Sequence, residues 1–162
     1  MKLLPYRKLV IDSPLPVRTA EERLAEATGP RKLFRFGKSA YAFEGTVSTD
    51  DIRIRRVIRY QNSFLPRIHG RFEPRASRSR LVATLSLHPA VTVFMTVWFG
   101  MLALIGIPMV LLSLSQGVVG PGVLVPGGML VFGCVLVCGG FAFEANLATE
   151  RLTSILEGQV AS

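Results

Sequence analysis

Between Arg80 and Glu144 the chain contains no Asp, Glu, Lys or Arg. A stretch that long without charge has little to offer water, and it is long enough to cross a lipid bilayer twice. Cysteine is nearly as scarce. The two present, Cys134 and Cys138, both fall inside the uncharged stretch, which excludes a disulfide framework. They lie four apart and share a helix face, but with no His or carboxylate beside them they read as small packing residues. The two histidines, His69 and His88, have no Cys or paired carboxylate at ligand spacing, so no metal centre is expected. The adjacent Asp50 and Asp51 read as turn chemistry. No phosphate-binding glycine loop, GxSxG elbow, HExxH helix or dinucleotide fingerprint occurs. With no catalytic set, the sequence reads as non-enzymatic, with no cofactor.

What remains is uneven. The 162 residues allow one small domain plus an anchor, and 49% are hydrophobic, with a mean hydropathy of +0.41. Residues 1–80 hold 18 Lys/Arg against 8 Asp/Glu, whereas residues 144–162 hold Arg151 against Glu144, Glu150 and Glu157. A front part this basic is drawn to anionic surfaces. Met1–Ile11 carries Lys2, Arg7 and Lys8 but lacks the apolar core and cleavage site of a secretory signal. The front domain is therefore expected on the cytoplasmic side.

The uncharged stretch divides into two spans. Val91–Leu114 is continuously apolar and as a helix reaches about 36 Å, enough for a hydrocarbon core of about 30 Å. Pro89 stands where a helix start tolerates proline, and Pro108 inside the span is expected to kink it. Ser115–Pro121 reads as a turn, and Gly122–Phe143 as the second span, with Pro126 early in it. The competing reading, a hairpin buried in a water-soluble fold, needs more covering material than this chain holds. Arg71, Arg75, Arg78 and Arg80 precede the first span, Arg151 follows the second, and the turn has no charge. Both termini are expected in the cytoplasm of a bacterial inner membrane, with the turn outside. Gly100 and Gly106 on the first span, and Gly128, Gly133, Gly139 and Gly140 on the second, let the helices approach closely. They form no clean GxxxG pattern.

The expected organisation is a basic cytoplasmic α+β domain over 1–88, a transmembrane hairpin over 89–143 (spans 91–114 and 122–143), and a tail helix over 144–162. In the domain, Arg7–Asp12 reads as a strand. Thr19 and Glu22 form a capping box for a helix over Ala20–Thr28. Period-two patterns then mark strands near Lys32–Phe36, Tyr41–Val47, Asp51–Tyr60, Pro66–Glu73 and Arg80–His88. The fold class is α+β, a small antiparallel sheet of about five to six strands with one short helix, most simply a meander. In the strand over Asp51–Tyr60, Arg56 breaks the alternation and suggests a bulge. In the tail, Leu147, Leu152, Ile155 and Leu156 mark an apolar helix face. Glu144 reads as an interfacial carboxylate.

Tyr60-Gln-Asn-Ser-Phe-Leu-Pro66 with Ile68 and Gly70 looks like a specific turn, in which Asn62 and Ser63 cap local backbone groups. The segment resembles one found in small uncharacterised bacterial two-span membrane proteins. The resemblance covers roughly residues 41–100 and implies no activity.

The arginines carry the functional reading. Arg53, Arg55 and Arg59 project from one strand face, and Arg67, Arg71, Arg75, Arg78 and Arg80 follow on the next elements. A juxtamembrane cation near anionic lipid contributes on the order of 1 kcal/mol, so the patch is expected to hold the domain flat on the leaflet. The same guanidiniums could clasp a phosphate-bearing ligand. Nucleic acid is not an expected partner, because aromatics do not interleave the basic face. The expected function is a non-enzymatic interaction or assembly module, with the anionic bilayer and another copy or a membrane protein as partners. The alternative is a membrane effector or sensor whose Arg-rich sheet binds a nucleotide or other anion.

Overall fold

The computed structural model describes residues 6–30, 40–58, 62–117 and 121–161. The chain runs β1 (Tyr6–Ser13), α1 (Val17–Glu26), β2 (Thr28–Gly29), β3 (Phe43–Thr46), β4 (Ile52–Arg56), β5 (Arg67–Arg75), β6 (Arg78–Ser86), α2 (Pro89–Gln116), α3 (Pro121–Ile155) and β7 (Gln159–Val160). The fold is α+β. A seven-stranded sheet in the order β2-β3-β4-β5-β6-β1-β7 carries three helices, two of them long and apolar.

The sheet is larger than expected and mixed. β3 to β6 form the anticipated antiparallel meander, but β2 pairs parallel with β3, and β1 inserts between β6 and β7. The two-residue strands β2 and β7 are too short for any periodic signal. The expected strand near Lys32–Phe36 lies outside the described residues. Helix α1 begins earlier than expected and without the capping box. Pro16 is its N-cap, no side chain caps it, and the Ala20 amide bonds the Pro16 carbonyl. Thr19 is thereby inside the helix, and Glu22 pairs with Arg18 instead.

One sheet face is the core. Leu9, Ile11, Phe43, Ile52, Ile54, Ile68, Phe72, Leu81, Ala83 and Leu85 point the same way and are buried. Alternation along each strand and the register between strands make this set continuous. Two helices cover it: α1 through Ala20 and Leu24, and the last turns of α3 through Ala145, Ala148 and Leu152, with Leu156 just after the helix. The buried face of α3 is thus turned slightly from the one expected; Leu147 and Ile155 are only half-buried, and alanines let the helix lie close to the sheet.

No break separates the apolar hairpin from the tail. Helix α3 continues through Glu144 as one element of 35 residues, about 52 Å at 1.5 Å per residue. Its direction relative to the sheet follows from its contacts. Arg7 at the start of β1 donates to Asn146 at 2.5 Å, and Ser13 at the end of β1 donates to the Leu156 carbonyl at 2.6 Å. Six strand steps, about 20 Å, are matched by ten helix steps, about 15 Å. The inner part of α3 therefore runs alongside β1 in the same direction.

The outer part of α3 and α2 form a hairpin of two helices long and apolar enough to cross a membrane. Only 11% and 17% of their most apolar stretches are buried, and Val97, Leu104, Ile107, Leu114, Phe132 and Val135 are exposed. Helix α2 starts cleanly. His88 is its N-cap, accepting from the Ala90 amide through Nδ1 at 3.1 Å, and Pro89 holds the first turn. It ends at Gly117, whose φ of 66° satisfies a left-handed C-cap. Pro108 and Pro126 lie within the helices without ending them.

Candidate functional site: a basic sheet face above a charged helix junction

Among the described residues no helix covers the sheet face opposite the core, and the residues of that face fall into rows set by strand register. The row nearest the hairpin reads Glu44, Arg55, Arg67, Ser86 and Tyr6 across β3, β4, β5, β6 and β1. The next reads Thr46, Arg53, His69, Thr84 and Lys8, followed by Arg71, Val82 and Val10, and then Glu73, Arg80 and Asp12. Arg75 and Arg78 pair at the tip of the β5–β6 hairpin. Of the eight arginines expected to form a patch, five share this face, two sit at its far tip, and Arg59 lies outside the described residues. Arg78 is eight strand steps from Ser86, about 26 Å further from the hairpin.

Charge is distributed unevenly along the rows. In the far row Arg80 forks onto Asp12, Nε to Oδ1 at 2.5 Å and Nη2 to Oδ2 at 2.9 Å. The guanidinium donating to Asp12 holds that carboxyl below the usual carboxylate range, and the Arg80 group is raised in turn. Arg71 is held by Glu73 at 2.9 Å. The two rows nearest the hairpin hold Lys8, Arg53, Arg55 and Arg67, with Glu44 in the nearer row and Asp51 just before β4. Arg53 meets Asp51 through Nε at 3.0 Å, and Arg55 meets the buried Glu44 through Nε. Each of these contacts uses one of five guanidinium donors. Arg55 stands directly opposite Arg67, and Arg53 opposite His69. Together with Glu44, Gly45 and Ile54 they line an open cleft of about 220 Å³. Gly45 is fixed there by its φ of 141° and by the Arg53 carbonyl oxygen, into which a Cβ would run.

A second constellation lies on the core side. Arg56 is the last residue of β4 and stays in register with Phe43, so no bulge forms. Its side chain points inward to Glu144 of α3 and forms an ion pair with a carboxylate that is 1% exposed. Asn62 donates to the other Glu144 oxygen at 2.8 Å, and its own carbonyl oxygen accepts from the Phe64 amide at 2.9 Å. Phe64 then lies against Gly140, where a Cβ would stand 3.2 Å from its ring. Glu144 is therefore no helix-end carboxylate but a buried link between strand, turn and helix. The misplaced arginine in an alternating strand was its sequence signal, since a charge on an apolar face needs a partner.

Among the hairpin glycines, a Cβ at Gly133 would stand 3.1 Å from the Phe99 ring and one at Gly106 3.3 Å from Pro126. Gly100, Gly128 and Gly139 face open space. Cys134 and Cys138 are exposed free thiols. Among the described residues no group of His, Cys, Asp and Glu could hold a metal ion. Comparison with protein families, with curated proteins and with solved structures found nothing that matches this chain.

Proposed function

We propose that the chain is a non-enzymatic module of a bacterial cytoplasmic membrane, in which a lipid-embedded hairpin is rigidly joined to a cytoplasmic sheet domain that meets partners. The observation that carries this reading is α3. Its outer part leaves large apolar side chains exposed, which a water-soluble protein of this size does not tolerate, while its inner part is the core of the sheet domain. Arginines flank the hairpin on the domain side, which favours both termini in the cytoplasm. Because α3 runs alongside β1, a membrane-spanning α3 stands the sheet upright on the bilayer. The strand ends at Tyr6, Arg55, Arg67 and Ser86 then meet the headgroups, and the basic face stays open to the cytoplasm instead of lying flat on lipid. The Arg56–Glu144–Asn62 link makes hairpin and sheet move together, as an assembly module requires.

The two thiols supply a test. In sealed vesicles a membrane-impermeant maleimide should leave Cys134 and Cys138 unlabelled, and detergent should expose both. Full labelling of intact vesicles would remove the membrane from the reading.

A further inference from the structure

The two basic rows nearest the hairpin form a phosphate-binding subsite, we infer, built from Arg55 and Arg67 with Arg53 and His69 beside them; the inference rests on the membrane reading for its location. Arg55 opposite Arg67 and Arg53 opposite His69 make a two-by-two block on β4 and β5. Neighbours across the ladder stand about 5 Å apart and successive rows about 7 Å, so the block matches the width of one phosphate group and its ester oxygens. Like charges placed directly opposite each other destabilise a sheet. Here the arrangement is kept in a concave place, with Glu44 and Asp51 orienting two of the guanidiniums through Nε. The remaining Nη donors of Arg53 and Arg55 are of the kind that recognise phosphate oxygens bidentately. In the far rows Asp12 takes two donors of Arg80 and Glu73 two of Arg71, against one each taken from Arg53 and Arg55.

Position names the source. Arg67 is opposite Ser86, three residues before α2 begins at Pro89. That is about 10 Å of extended chain, within reach of the headgroup layer, which adds roughly 5–8 Å to each side of the hydrocarbon core. The phosphate best placed to enter is that of an anionic lipid headgroup. A soluble phosphate ester has the same chemistry and approaches from the cytoplasmic side.

The full chain is reconstituted in nanodiscs of phosphatidylcholine with a minor fraction of phosphatidylglycerol, and headgroup retention is measured after exchange at 150 mM salt. Wild type should retain phosphatidylglycerol in preference. Arg55→Gln with Arg67→Gln should lower that preference about tenfold or more, because charge-assisted bonds to the phosphate are lost. Arg75→Gln with Arg78→Gln, at the far tip, should leave it unchanged. Arg67→Gln alone keeps the Arg55–Glu44 pair and should show a smaller loss, and thermal unfolding measured alongside separates ligand loss from misfolding. A parallel titration uses inorganic pyrophosphate. Saturable binding that displaces phosphatidylglycerol and vanishes in the double variant supports the site with a soluble source. Equal retention by wild type and the double variant, with no pyrophosphate binding, overturns it. Resistance to alkaline carbonate extraction reports on the membrane reading separately; if the chain washes off, the pyrophosphate titration still decides the site.

Discussion

At the scale of single residues, the decisive one is Arg56. Alternation placed it on the apolar side of its strand, and without a partner that position would be costly. Glu144, 88 positions away, supplies the partner, and Asn62 fills a further acceptor site. Removing one member of a buried pair leaves the other stranded. Arg56→Met is expected to lower stability by about 3–5 kcal/mol, while Arg56→Met with Glu144→Leu should recover most of it. Thermal unfolding of the four proteins in mild detergent checks the cycle, and additive losses would show that the two side chains do not act as a pair. Asp12 behaves differently because it is half-exposed. Its pKa is lowered in the folded chain, so its contribution is present above the unfolded value near 3.9 and is lost as pH falls through the folded value. Asp12→Asn should flatten the loss of stability below about pH 4 and do so less at high salt; denaturation curves between pH 2 and pH 6 would show it.

At the scale of elements, α3 joins an exposed apolar stretch and a stretch packed on the sheet in one helix. Its small residues do different jobs along its length. Gly133 and Gly140 accept aromatic rings from α2 and from the turn at Asn62, whereas Gly139 faces open space. Gly140→Leu should push Phe64 away and cost about 1–3 kcal/mol, with partial rescue by Phe64→Ala. Gly139→Leu, one position earlier, should change the melting temperature little. Equal effects at the two positions would mean that Phe64 does not seat on the helix. Elements also show what periodicity can read. β5 and β6 follow their expected alternation closely, because a sheet with one face buried and one open imposes period two on sequence. β2 and β7 escaped, as two-residue strands carry no period. α1 was misplaced by its cap, since Thr19 and Glu22 satisfy a pattern that Pro16 pre-empts one turn earlier.

For the whole molecule, the front domain is not a self-sufficient unit. Ala145, Ala148, Leu152 and Leu156 cover the core face from the other end of the chain. Burying each of those leucines is worth about 1.5–3 kcal/mol, a large part of the roughly 5–15 kcal/mol by which a domain is stable. Residues 1–88 produced alone should therefore fail to fold, with poorly dispersed amide spectra, and a fusion of 1–88 to 144–161 should restore dispersion. A well-folded 1–88 would contradict the core described here. The uncharged stretch, the position of its two helices and the basic character of the front were legible from residues 1–162 alone, because hydropathy and charge act over consecutive residues and need no partner to be read. Pairings that join distant parts were not: β1 beside β6, Arg56 with Glu144, and the descent of α3 along β1 depend on which surfaces meet. Only the packed chain decided that five of the arginines share an open face and that two of them stand opposed at the hairpin end, since strand register is set by the buried side of the sheet and not by the charges on the other.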